Sequence, residues 1–172
     1  MTPEVSLYQA RQFHLPVHIP YGQFIKLFET LVPDVEPKKL AHLIAAGDMN
    51  AVSEHFSVHA PNGWSVYWKI DIGPLQRLNG HDTTAVTYLL GNSLIGESLF
   101  RHDPAALTYA PFRVTVSRDG EGRTTLTIVQ PSTQLNSLNS PHITRIGHEV
   151  DTQIAHLLRR LGLTPPDEMT RQ

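Results

Sequence analysis

The hydrophobic positions of the chain change period several times, and each change marks an element. Residues 13–19 alternate, with Phe13, Leu15, Val17 and Ile19 set against His14, Pro16 and His18, the period of a strand with one buried face. Pro16 has no N–H to give to a ladder, which predicts an edge strand or an extended segment. After Pro20 the period lengthens. Phe24, Leu27, Phe28 and Leu31 fall on one helical stripe that Pro33 ends. A second helix is predicted over 36–46, with Pro37 in its first turn, Gly47 as its stop and Leu40, Leu43 and Ile44 as its apolar stripe. Residues 49–56 add a further helical turn or two.

Pro61-Asn62-Gly63 is a turn that launches a strand over 64–72, where Val66, Trp68 and Ile70 alternate with Tyr67, Lys69 and Asp71. Gly73-Pro74 breaks it, a polar loop follows, and residues 85–90 form the next strand. A short helix is predicted over 94–101, with Asp103 capping a further turn opened by Pro104. Phe112, Val114 and Val116 alternate with Arg113, Thr115 and Ser117, the segment 119–122 turns a hairpin, and Leu126 and Ile128 return. Ser140 and Pro141 open the longest helix, whose stripe of Ile143, Ile146, Val150, Ile154, Leu157, Leu158 and Leu161 ends at Gly162.

Hairpin-linked strands imply an antiparallel sheet with helices gathered on one side. The expected fold is therefore α+β: a two-layer sandwich of about five strands with helices mainly on one face. It fills one domain over residues 1–166, with an arm at the start, a helical insertion at about 33–61 and a polar tail at 167–172.

Composition narrows the function classes. A formal net charge of −2 over 172 residues gives no electrostatic reason to bind nucleic acid or anionic lipid. The absence of cysteine excludes disulfides, thiolate metal sites and cysteine nucleophiles. No basic segment followed by a long apolar run opens the chain and no window reaches spanning length, so a cytoplasmic protein without a membrane partner is expected.

The L-G-N turn at 90–92, H-D-P at 102–104, Y-A-P-F-R-V at 109–114 and Q-P-S at 130–132, preceded by W-K-I-D-I-G at 68–73, resemble a family of small bacterial domains, domain of unknown function 302. The resemblance covers residues 66–132 well and implies a compact antiparallel sheet with two helices, within a family-like core of about 64–163. It implies no activity. Ile72 stands where many members carry His, Ser93 where a proline often follows the turn, and the segment 31–61 is longer than a minimal member needs.

Several constellations carry chemistry. Asn92 precedes a helix whose first amides can receive an anion. Glu97, His102 and Tyr109 place an acid, an imidazole and a phenol close in sequence, and Arg113 offers a forked cation. Together these five point to a small polar or anionic ligand bound beside the segment 91–109. The alternative is an acid–base enzyme using Glu97, His102 and Tyr109. Among the ten histidines, His55 and His59 have a chelating spacing. They support a second alternative, a histidine-ligated transition metal or haem. With a third ligand to be sought at His42 or His81, ordinary half-buried imidazoles are the expected reading, and no cofactor is predicted. Tyr67, Lys69, Asp71, Thr87, Arg113, Thr115 and Thr127 are expected to share the polar face of the sheet. The apolar stripe of the inserted helices predicts a homodimer.

Overall fold

The computed structural model describes residues 5–170; the first residues of the expected arm and the last two of the expected tail lie outside them. In chain order the elements are β1 (Gln12–Val17), α1 (Tyr21–Leu31), α2 (Pro37–Ala45), α3 (Met49–His59), β2 (Ser65–Asp71) and α4 (Gly73–Leu78). They continue with β3 (Thr84–Gly91), α5 (Ser93–His102), β4 (Phe112–Arg118), β5 (Thr124–Val129), α6 (Pro131–Leu135) and α7 (Pro141–Arg160). The strands make one antiparallel sheet in the order β1-β5-β4-β3-β2. The α+β expectation holds, and Pro16 sits on an edge strand as its missing donor requires.

One face of the sheet presents Val86, Tyr88, Leu90, Val114, Val116, Leu126 and Ile128 to a core shared with Phe24 and Phe28 of α1, Leu99 of α5 and the stripe of α7. Ile146, Val150, Ile154 and Leu157 are all buried there, as the period of α7 demanded. Tyr88 packs its ring against Phe28, centroids 4.6 Å apart and planes tilted by 31°, and gives its hydroxyl to Glu29 Oε1 at 2.9 Å, the oxygen that also accepts Lys69 Nζ at 2.7 Å. Burial, then the bond to Glu29, pushes the Tyr88 phenol well above its ordinary range.

Strand β2 departs from the sequence expectation. Val66 pairs with Leu90 but Trp68 pairs with Leu89, so Tyr67 is the extra residue of a β-bulge. Every side chain beyond it changes face. Lys69 and Asp71 lie opposite Tyr88 and Val86 on the core side, not on the polar face with Thr87, Thr115 and Thr127. Trp68 and Ile70 are turned outward, 48% and 45% exposed.

The inserted helices build a second small cluster of Val35, Leu40 and Val52, with Leu43, Phe56 and Tyr67 packed on it. Asp34 bridges Val66 in parallel, which fixes the insertion to the free edge of β2. Leu40 is thereby used inside the insertion, and of the expected dimer stripe Ile44 remains well exposed.

Two further segments were read differently from sequence. Residues 73–78, where the sequence predicts a strand break and a polar loop, form α4. The expected polar tail is partly structured: Asp167–Met169 make a 3-10 turn that buries Met169 in the main core. Q-P-S has a structural role. Ser132 donates its amide and hydroxyl to Asp151 of α7 at 3.0 and 2.6 Å, and Gln130 Nε2 donates to the same carboxylate at 2.6 Å. Gly147 admits this approach, since a Cβ there would lie 3.0 Å from Ser132 Cα.

Candidate functional site

Strand β3 runs directly into α5 through Asn92. Its Oδ1 accepts from the amides of Leu94 and Ile95 at 3.0 and 3.1 Å, an N-cap. Its Nδ2 donates to Gly63 O at 2.7 Å, tying the turn before β2 to the start of α5. Gly91, just before it, lacks a side chain for a steric reason: a Cβ would run into the ring of Tyr67. The bulge thus lays Tyr67 across the end of β3.

Between Tyr67, the outer side of α5 and the segment leading into β4 lies a cavity of about 440 Å³. Its wall is mainly apolar: Leu90, Ile95, Phe100, Leu107, Ala110, Pro111 and Phe112, with Asn92, Ser93 and Glu97 as polar members. The Ala110-Pro111 peptide is cis. Burial raises the Tyr67 phenol above its ordinary value and keeps it protonated. Volume and lining match those of small-molecule pockets, about 300–1,000 Å³ and mostly apolar with a few polar groups.

The structure separates the five residues singled out by sequence. Asn92 and Glu97 line the cavity, Asn92 with two of the helix amides already satisfied by its own side chain and Glu97 paired with Arg101 Nη2 at 2.7 Å. His102 instead stacks on His142 of α7, with ring centroids 4.7 Å apart and planes 3° from parallel. The Tyr109 hydroxyl is bonded to Ser137 Oγ at 2.9 Å. Arg113 is exposed and projects from the opposite face of β4 to Phe112 and Val114. Acid, imidazole and phenol therefore do not meet in one cleft.

Gly96, Phe100 and Leu107 are not among the residues that the sequence singles out, and Tyr67 is expected only as part of the polar sheet face. A signal for two of them existed. Ile95 and Leu99 supply the core stripe of α5, so Phe100, off that stripe beside Gly96, marks a second apolar surface.

The histidine pair has a geometry of its own. His55 is 4% exposed and its ring stacks on His59, with centroids 4.3 Å apart. His55 Nε2 bonds Val35 O at 2.6 Å and His59 Nδ1 bonds Asp34 O at 3.0 Å. His42 and His81, the suggested third ligands, are exposed. The neighbour that the fold supplies is Glu36, whose Oε2 lies 3.9 Å from His59 Nε2.

Among the described residues no helix is long and apolar enough to cross a membrane. No curated protein matches the chain. It is similar to a solved structure titled as an uncharacterized conserved protein DUF302 from Bacillus stearothermophilus, with a TM-score of 0.62 at 14% identity, covering 87% of this chain and 97% of that one. At that identity the likeness is one of fold. The profile of the family described as Domain of unknown function DUF302 matches residues 49–161, taking in α3, which the sequence reading had placed in the insertion. The L-G-N and A-P-F segments that carried the sequence resemblance both border the cavity, and with more than half of its length matched the chain belongs to the DUF302 family.

Proposed function

We propose that the protein binds a small, mainly apolar organic molecule in the cavity between Tyr67, α5 and the start of β4. The observation that carries this reading is Gly96. Glycine in a helix interior costs about 1 kcal/mol relative to alanine, so a packing reason is expected for it. None is present among the described residues: beyond the helix's own backbone, nothing lies within 4 Å of the position a Cβ would take. What a side chain there would occupy is the cavity that Gly96 lines. The Ser93 hydroxyl, the Tyr67 phenol and the Glu97 carboxylate are the groups available to orient a ligand's polar end. The apolar wall, the Leu94 and Ile95 amides already capped by Asn92 Oδ1 and the outward Arg113 turn the expectation of an anionic ligand toward an apolar one.

The test uses N-phenylnaphthylamine, whose fluorescence rises in apolar pockets. Wild-type protein is expected to bind it, and Gly96→Leu, which fills open space without touching the core, is expected to abolish the signal while remaining folded. Equal binding by the folded variant overturns the proposal. Native mass spectrometry of protein as purified then identifies any retained molecule.

A further inference from the structure

The helical insertion carries a second constellation, away from that cavity. One ligand atom from each of Glu36, His55 and His59 lies within 4.8 Å of the others, and the two imidazoles are held in a telling way. His55 Nε2 is bonded to Val35 O, so its hydrogen sits there and the lone pair is on Nδ1. Among the described residues that Nδ1 is buried and has no partner, a costly state for a polar atom. His59 is held by Nδ1 on Asp34 O, which leaves its lone pair on Nε2, facing the Glu36 carboxylate. Two successive carbonyls thus fix two histidine tautomers, and the next residue supplies the acid.

We propose that Glu36, His55 and His59 form a binding site for one divalent transition-metal ion of the zinc type. The pattern is that of metal-ligating histidines, in which the distal ring N–H is held by a carbonyl or carboxylate and the other nitrogen is aimed at the ion. Two imidazoles and a carboxylate select zinc, cobalt, nickel or copper over magnesium or calcium. Ligand atoms about 2.0–2.2 Å from a tetrahedral ion are about 3.3–3.6 Å from one another, so the set must draw together. Glu36 supplies part of this, being half-exposed and, apart from His59, paired among the described residues with Lys39 Nζ at 3.8 Å on the same oxygen, an exposed pair of little worth. A hollow of about 290 Å³ bordered by His55, His59 and Glu54 adjoins the site, with room for water as the remaining ligand. The ion would clip α3 to the chain entering α2, since Glu36 lies before α2 and both histidines lie on α3.

The experiment is calorimetric titration of the chelator-treated full chain with zinc chloride, with cobalt(II) absorption as a readout of coordination. Wild type is expected to bind one ion, with cobalt bands of four-coordinate intensity. Loss of a direct ligand should weaken binding at least as much as loss of an outer-shell partner, about tenfold or more. Glu36→Ala and His59→Gln change exposed or half-buried groups and keep the test independent of whether His55→Ala folds. His102→Ala controls for chelation elsewhere among the ten histidines and should bind as wild type. Absence of stoichiometric binding, or equal affinity in wild type, Glu36→Ala and His59→Gln, overturns the proposal.

Discussion

Ser132 engages Asp151 twice, through its backbone amide and its hydroxyl, so the first turn of α6 and the middle of α7 are held together by one buried carboxylate. Gln130 adds its amide to the same oxygen as the hydroxyl and reaches Glu168 O at 3.1 Å. Every one of these partners donates, so the site is built for an acceptor.

Asp151→Asn sets an NH₂ group against those donors. The expected loss is about 1–3 kcal/mol of stability, read by reversible denaturation. Burial holds the Asp151 carboxyl above its ordinary value of 3.8, against the hydrogen bonds of Ser132 and Gln130. A folded-state value above the unfolded one means that the folded protein binds the extra proton. The contribution of Asp151 is then full at acid pH and declines as pH rises through the ordinary value to the raised one. The advantage of wild type over Asp151→Asn should narrow from about pH 4 upward. An advantage that widens over that window would show the carboxyl to be favoured in its ionised form.

The two glycines of the cavity wall should respond oppositely. Gly96→Ala fills empty space on a helix and is expected to stabilise by about 0.5–1 kcal/mol. Gly91→Ala collides with the Tyr67 ring and is expected to cost about 1–3 kcal/mol by overpacking. Combining Gly91→Ala with Tyr67→Ala should recover part of that loss. Strict additivity in the double-mutant cycle would mean that the ring is not what Gly91 accommodates.

Ile154→Ala, in the centre of the α7 stripe, is expected to cost about 2–5 kcal/mol through lost burial and an unfilled cavity. A loss under about half a kilocalorie, typical of a surface position, would mean that α7 does not cover the sheet.

The two tryptophans report the bulge. Trp64 is fully buried and Trp68 is half-exposed, so iodide should quench only part of the emission. Trp68→Phe should leave a blue-shifted, quencher-resistant spectrum. Two equally protected tryptophans would contradict the outward turn of β2 beyond Tyr67.

These elements differ in how far the sequence disclosed them. The stripe of α7 and the hairpin of β4 and β5 were legible because their periods are local and uninterrupted. In β2 the alternation of Val66, Trp68 and Ile70 is flawless on paper, and the extra residue appears only in pairing with β3. Asn92 and Glu97 of the segment 91–109 border the cavity, yet Arg113 does not share it with Phe112, because neighbours on a strand point to opposite faces. Glu36 was out of reach for another reason. It lies far from His55 in sequence, and only the docking of α3 on the chain before α2 brings them together.

Length, more than composition, is what the chain must conserve between Val66 and Trp68. With Tyr67 present as a supernumerary residue, Val66 faces the core before it, and after it the core-facing positions are Lys69 and Asp71 while Trp68 and Ile70 face out. Removing one residue there would leave every side chain chemically intact while exchanging the fates of all that follow. Trp68 and Ile70 would turn inward, and Lys69 would be drawn away from the Glu29 carboxylate it shares with Tyr88. The spacing itself, carried by no particular side chain, is therefore the information that keeps this edge of the sheet in frame.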